Sequence, residues 1–191
     1  MNTNARNGLG RLLVVLAATL VAACSTDYPA APAEPSAPPA PQFPSLSRTP
    51  ELGGCQKLQA PAGSKLAYHV YASGVQIYRW TGAAWTLYGP SATLSADAAG
   101  NSTVGTHFVG PTWESNSGSK VVGAVAERCA VPNAVPWLLL HATSSEGPGV
   151  FHGVTSIQRV NTVGGNAPST SGTFVGEEVR VSYSAEYYFY R

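Results

Sequence analysis

VRVSYSAEYYF (residues 179–189) is the stretch that alternates most regularly between apolar and polar side chains. The odd-numbered positions are all apolar or aromatic: Val179, Val181, Tyr183, Ala185, Tyr187 and Phe189. The even-numbered positions from Arg180 to Glu186 are polar or charged. Because successive side chains of a strand point to opposite faces, this pattern predicts a strand with one buried face. A shift of one residue would bury the charged face, so the register is firmly set.

Similar short segments fill the chain from residue 51 to residue 191, and glycine, proline, asparagine or serine separates them. We expect a hairpin of strands 65–71 and 75–80, with Ser73 and Gly74 between them. The apolar run 137–141 (WLLLH) predicts a central strand that is covered on both faces. Residues 150–160 should form a strand with a bulge near Thr155, where the apolar positions change parity.

No segment of this region has a sustained helical period, so we expect an all-β domain. The Gly-Pro pairs that begin at residues 89, 110 and 147 are interpreted as turns. The spacing predicts a single antiparallel domain of eight or nine strands, either a β-sandwich or a small β-barrel. The sequence does not choose between these two architectures.

The N-terminal part of the chain is predicted to be a bacterial lipoprotein signal peptide, residues 1–23. Arg6 and Arg11 precede a short apolar run, and LVAAC (residues 20–24) resembles the lipobox, in which the cysteine receives the lipid. Cys24 would therefore anchor the protein to a membrane. Since Ser25 follows it, the enteric sorting rule predicts the periplasmic face of the outer membrane. Residues 24–50 alternate proline and alanine, which predicts a disordered linker.

Composition argues against several kinds of partner and cofactor. A formal net charge of +1 gives no electrostatic footprint for nucleic acid. Cys55 and Cys129 remain after lipidation, so in an oxidising compartment we expect a disulfide, the alternative being two buried free thiols. His141 and His152 would face each other if Glu146 and Gly147 were the centre of a hairpin, but a third ligand is missing. We therefore expect no metal and no cofactor.

The candidate site is GTHFVGPTWESNSGS (residues 105–119), which brings together His107, Trp113 and Glu114. A binding pocket would use Trp113 as an apolar wall, with His107, Glu114 and Arg159 as polar groups. A purely structural interpretation has Trp113 in the core, His107 bonded to a backbone carbonyl, and Glu114 paired with Lys120 or Arg128. A hydrolase or lyase could use Glu114 and His107 if they met across the turn, and Glu114 with Glu186 could serve a glycosidase.

The small number of titratable groups favours binding or a structural envelope module over catalysis. No Gly-x-Ser-x-Gly motif for a serine nucleophile occurs. The biochemical function is therefore left open between a ligand- or partner-binding domain, a hydrolase or lyase, and a structural module. For the binding domain, the ligand would be a small molecule, a glycan or a protein.

Several longer motifs carry a family resemblance: GVQIYRW (74–80), GTHFVGPTWESNSGSKVVG (105–123), VPWLLLHATSSEGPGVFHGVTSIQRVNTVGG (135–165) and YSAEYYFY (183–190). With these motifs the chain resembles an uncharacterised family of secreted proteins, domain of unknown function 3455. The resemblance implies no activity. Many members carry a cysteine at the position of Trp80 and another near Gly172, which implies that the two cysteines are bridged in those relatives. Here both are missing, and Cys55 and Cys129 are present instead.

Overall fold

The computed structural model describes residues 49–191, so the signal peptide, Cys24 and nearly all of the linker lie outside the described residues. A single 3-10 turn, Gln56–Leu58, precedes eight strands. The strands are β1 (Leu66–Trp80), β2 (Trp85–Ser95), β3 (Thr103–Phe108), β4 (Thr112–Ser115), β5 (Lys120–Val131), β6 (Ala134–Glu146), β7 (Ser156–Gly164) and β8 (Glu178–Tyr190). In this part of the chain, no helix is both long and apolar enough to cross a membrane.

The strands form a closed barrel in which each strand is antiparallel to its sequence neighbours. β8 also pairs with β1 over almost its whole length, from Leu66 opposite Tyr190 to Arg79 opposite Glu178, and this pairing closes the ring. The all-β prediction is confirmed, and the structure selects the barrel over the sandwich. Because the sheet is closed, each of its strands has a neighbour on both sides.

The burial pattern of β8 confirms the prediction that its odd-numbered side chains form the inner face. Tyr183, Ala185, Tyr187 and Phe189 are buried inside the barrel. They pack there with apolar side chains of the other strands, including Val70, Leu94, Val121 and Leu140. The turn after β6 adds Phe151, whose ring lies 4.7 Å from that of Phe189. Aromatic side chains therefore fill this end of the barrel.

A second apolar cluster lies on the outside of the barrel, beneath residues 49–64, which we call the strap. Leu58 of the strap is fully buried and packs with Leu139, Val160 and Tyr188. Gln158 fixes the strap by donating a hydrogen bond to the carbonyl oxygen of Leu58, 2.6 Å away. This cover explains why the three consecutive leucines of WLLLH are all buried. Leu138 and Leu140 lie inside the barrel, and Leu139 lies beneath the strap. The prediction for this strand is confirmed.

The strap is also joined covalently to the barrel. Cys55 and Cys129 form a disulfide, with their Cα atoms 5.7 Å apart. The disulfide prediction is confirmed. Because Cys129 belongs to β5, the bridge attaches the strap to the outer wall of the sheet.

The predicted hairpin within residues 65–80 is wrong, because these residues form the one continuous strand β1. Gly74 lies in its middle and pairs with Ala92 on one side and Tyr183 on the other. A Cβ atom on Gly74 would lie 2.5 Å from the Cα of Ala92. The glycine therefore permits a close approach of two strands, not a turn.

Gly89 and Pro90 were also expected to form a turn, but they lie within β2. The pairing shifts there, since Ile77 is opposite Gly89 while Tyr78 is opposite Leu87, so the pair marks a bulge. The Gly-Pro pair at Gly110 does form the turn between β3 and β4, and the one at Gly147 lies in the connection between β6 and β7.

The region before β7 corrects two further expectations. Residues 150–155 are a turn segment, so the strand expected over 150–160 begins only at Ser156. As a result, His141 is opposite Ser156, and the predicted pairing of His141 with His152 is wrong. Both histidines are exposed.

Candidate functional site

The barrel interior contains a cavity of about 390 Å³ at the end that carries the β3–β4 turn. β3 and β4 are the shortest strands, so residues 85–90 of β2 and 123–131 of β5 extend past them without a pairing partner on that side. The wall of the barrel is lowest here. We call this opening the mouth. The cavity is lined by Gln76, Leu87, Tyr88, Gly89, Pro90, His107, Val109, Gly110, Pro111, Trp113, Val125, Arg128, Leu138, Leu140, Arg159 and Tyr187.

His107 lies on β3 with its side chain inside the barrel and is only 2% exposed. Its Nδ1 lies 2.8 Å from the carbonyl oxygen of Thr112, to which it donates a hydrogen bond. Burial lowers the pKa of His107 to about 3, so the imidazole is neutral at neutral pH. A neutral ring that donates through Nδ1 keeps the lone pair of Nε2 as a hydrogen-bond acceptor.

Trp113 is the cross-strand neighbour of His107, and the two rings stack at 4.3 Å with an angle of 7° between their planes. The ring of Tyr187 meets both edge-on, at 5.0 Å from His107 and 5.3 Å from Trp113. These three rings form the inner wall of the cavity. Such contacts add to the stability that burial of the rings supplies.

Besides the hydroxyls of Ser156 and Tyr183, three buried polar side chains of residues 49–191 have no hydrogen bond of normal geometry, and these three line the cavity. The atoms are Nε2 of Gln76, Nε1 of Trp113 and the hydroxyl of Tyr187. Gln76, Trp113 and Tyr187 are each 1% exposed. Buried polar groups are normally paired, since leaving one unpaired costs about 1–3 kcal/mol. Their concentration around one cavity is therefore the most informative feature of the site.

Arg159 supplies a buried positive charge to the same cavity. Its side chain comes from β7, is 8% exposed, and donates from Nε and Nη2 to the carbonyl oxygen of Pro136 at 3.2 and 2.8 Å. Burial raises the pKa of Tyr78 and Tyr187 and lowers that of His107, and the nearby guanidinium acts on all three by favouring the lower pKa. Its field therefore reaches several groups of the interior.

Glu114 is the one predicted site residue that the structure places elsewhere. In the β3–β4 pairing it is opposite Thr106, not His107, so it lies on the outer face of the barrel. There its carboxylate pairs with Lys120 at 3.3 Å. The expectation that Glu114 and His107 meet across the turn is wrong, and the acid–base pair of the hydrolase hypothesis is not assembled. Of the predicted binding residues, His107, Trp113 and Arg159 converge on the cavity.

Glu186, the other carboxylate considered for catalysis, is held in a cluster on the outer face of β8. It accepts hydrogen bonds from Tyr188 and Asn161 and lies 2.9 Å from Nε2 of His69. These contacts, led by the one with His69, lower the pKa of Glu186 to about 2. Glu114 and Glu186 thus belong to separate clusters. In the described chain, no three potential metal ligands lie together.

A larger cavity of about 530 Å³ lies between the strap and the outer wall. The buried polar side chain that faces it, Gln158, already donates to the carbonyl of Leu58 and accepts from the hydroxyl of Tyr190. This cavity therefore lacks the unpaired polar atoms that distinguish the interior one.

The motif residues His107, Trp113 and Arg159 thus lie together in one closed barrel, and the sequence around them matches a known family profile. The profile described as a protein of unknown function (DUF3455) matches residues 61–191. The chain belongs to the DUF3455 family. The matched DUF3455 region includes all eight strands, whereas Cys55 and most of the strap precede it. No curated protein and no solved structure matches the chain significantly.

Sequence reasoning did not identify Gln76, Arg128 and Tyr187 as part of the site of this DUF3455 domain. Tyr187 could have been found, because its odd position in the last strand already placed it inside. Arg128 could not, because a bulge between Val125 and Glu127 reverses the parity of β5 and turns it to the inner face, opposite Leu138. Gln76 lies on the inner face of β1, which the predicted hairpin had divided in two.

Proposed function

We propose that this domain binds a small, partly apolar molecule inside its barrel. The observation that carries the proposal is the set of three unpaired polar atoms, from Gln76, Trp113 and Tyr187, around a cavity of about 390 Å³. A ligand with hydrogen-bonding groups would satisfy all of them at once. The free-energy cost of leaving these atoms unpaired would then be recovered as affinity for the ligand.

The mouth supports the apolar part of the proposal. Leu87, Tyr88 and Val109 are large apolar side chains that line it, and they are 54%, 45% and 44% exposed. An apolar rim above a few buried polar groups is the usual composition of a small-molecule site. Closed barrels of eight strands are also wide enough to hold one small ligand.

The test uses N-phenyl-1-naphthylamine, an uncharged probe that fluoresces in apolar sites. We expect the purified protein to bind it one to one. Val125→Trp should abolish binding, because Val125 lines the cavity and the larger side chain would fill it. The matched control is Ala124→Trp, on the exposed outer face of the same strand. Absence of probe binding by the unmodified protein, or equal binding by both variants, would refute the proposal.

We propose in addition that Cys24 anchors the domain to the periplasmic face of the outer membrane. LVAAC (20–24), followed by Ser25, supports this assignment, and the proline- and alanine-rich residues 25–50 would link the anchor to the barrel. Cys24→Ala removes the thiol that lipidation needs. We expect the variant to incorporate no labelled palmitate and to leave the membrane fraction. Labelling that persists in the variant would show that the anchor lies elsewhere.

A further inference from the structure

We propose that the ligand of the barrel is a small organic acid, whose carboxylate is held by Arg159 and whose apolar part lies toward the mouth. This inference rests on the proposed binding function and names the class of ligand that the site accepts.

The buried charge of Arg159 favours an anionic ligand. The side chain is 8% exposed, and no aspartate or glutamate of residues 49–191 forms an ion pair with it. A buried charge is costly unless an opposite charge or several hydrogen bonds compensate it. Within residues 49–191 the acceptors next to the guanidinium are neutral: the carbonyl of Pro136, which it meets in good geometry, and the hydroxyl of Tyr187, whose pKa it lowers. An anion in the cavity would supply the missing compensation.

The hydrogen-bonding atoms that are left unpaired in the cavity also favour an anion. Nε2 of Gln76 and Nε1 of Trp113 carry N–H groups, and the hydroxyl of Tyr187 can donate as well. Hydrogen-bonding to Pro136 leaves the Nη1 donors of Arg159 available. The unpaired atoms are therefore predominantly donors, and their complement is a group rich in acceptor oxygens. A planar carboxylate fits a guanidinium edge through charge-assisted hydrogen bonds.

The groups that line the cavity limit the charge and size of the acid. Arg159 is the one cation in the deep part of the cavity formed by residues 49–191, and the groups around it, the neutral imidazole of His107 included, carry no charge, which favours a monoanion over a doubly charged phosphate. Arg128 adds a second positive charge at the exposed mouth, where it would attract anions toward the opening. A volume of about 390 Å³ accommodates about a dozen water-sized groups, so the acid must be short.

The experiment compares octanoate with octanamide, which have the same chain and nearly the same shape but differ in charge. Both are titrated by calorimetry into the unmodified protein, into Arg159→Gln and into Arg180→Gln. Arg180→Gln is the matched control, because Arg180 is exposed on the outer face of β8 and pairs with Glu178. We expect octanoate to bind about tenfold more tightly than octanamide, as for a charge-assisted hydrogen-bonded pair. Arg159→Gln should remove this preference, and Arg180→Gln should retain it.

The outcomes separate the ligand class from the binding function. Equal affinity of the unmodified protein for octanoate and octanamide overturns the carboxylate inference, even if Arg159→Gln does not fold. Failure of both to bind, while N-phenyl-1-naphthylamine still binds, also overturns it and leaves the proposed function intact. A preference for octanoate that persists in Arg159→Gln would show that Arg159 does not hold the carboxylate and would overturn its assigned role. If the probe and both eight-carbon compounds fail to bind, the proposed function itself is wrong.

Discussion

At the scale of single residues, His107 and Trp113 are at once core residues and cavity wall. Each is nearly inaccessible to solvent, yet each lines the interior cavity. His107 has the carbonyl bond that a structural role requires, whereas the indole N–H of Trp113 is left without a partner. The two interpretations drawn from the sequence, structural and functional, therefore both describe part of the same pair.

His107 should make the protein sensitive to mild acid. Its pKa is about 3 in the folded state and about 6.5 in the unfolded chain, so below pH 6.5 the unfolded chain takes up a proton that the folded protein refuses. The contribution of the neutral His107 to the free energy of unfolding is complete above pH 6.5 and is lost as the pH falls toward 3. Between pH 7 and pH 5, the free energy of unfolding should fall by about 2 kcal/mol more in the unmodified protein than in His107→Gln.

Urea denaturation of both proteins at the two pH values measures this difference. His107→Gln keeps an N–H group that can reach the carbonyl of Thr112, which makes it a suitable reference. An identical pH dependence in the two proteins would mean that His107 takes up its proton in the folded state, and so is not desolvated as the barrel requires.

At the scale of elements, sequence patterns succeeded where one physical cause dominated. In β8 the alternation reflects burial alone, and the predicted inner face is the observed one. The prediction of turns from glycine and proline failed at Gly74 and at Gly89 with Pro90. The residues that permit turns also permit the close approach of two strands and bulges. The bulges of β5 likewise place Arg128 inside, and no local signal distinguishes such a bulge from regular alternation.

Positions 80 and 172, at which the resemblance implies bridged cysteines in relatives, lie together in this chain. A Cβ atom built on Gly172 lies 2.8 Å from Cβ of Trp80. Cβ atoms of a disulfide are about 3.5–4.5 Å apart, so a small outward shift is enough to bridge the positions. We expect Trp80→Cys with Gly172→Cys to form a second disulfide.

Intact mass after alkylation under non-reducing, denaturing conditions counts the free thiols of the mature chain. We predict none in the double variant. Trp80→Cys with Gly100→Cys is the control, because Gly100 lies in the turn at the opposite end of the barrel, and both new thiols should react. Two alkylated cysteines in the Trp80–Gly172 pair would show that the segment from residue 165 to 177 is packed differently.

The strap stabilises the barrel from outside, and its disulfide closes a sequence separation of 74 residues. Replacing Cys55 and Cys129 by serine should lower the free energy of unfolding by up to about 4 kcal/mol in the chain-entropy account. Binding of N-phenyl-1-naphthylamine should be unchanged, since the strap contacts the outer face of the sheet and not the interior cavity. Denaturant titration and probe fluorescence measure the two quantities. Loss of probe binding in a folded variant would show that the strap shapes the cavity.

At the scale of the whole molecule, the short β3 and β4 determine where the barrel can admit a ligand. Aromatic side chains fill the end near Phe151, and the low wall over the β3–β4 turn leaves the other end open at the mouth. The sequence predicted an all-β antiparallel domain of eight or nine strands, and eight are observed. It could not predict the closure, because this depends on the pairing of β1 with β8, which lie at opposite ends of the domain.

If a ligand enters the barrel and satisfies its unpaired polar atoms, the indole N–H of Trp113 should report its arrival. Nitrogen-15 labelling of the tryptophans gives one indole resonance each for Trp80, Trp85, Trp113 and Trp137, and Trp113→Phe assigns the buried one. On addition of octanoate, we predict that the Trp113 resonance moves downfield as its N–H gains an acceptor, while those of Trp80, Trp85 and Trp137 stay in place. An unchanged Trp113 resonance at saturating octanoate would contradict the account.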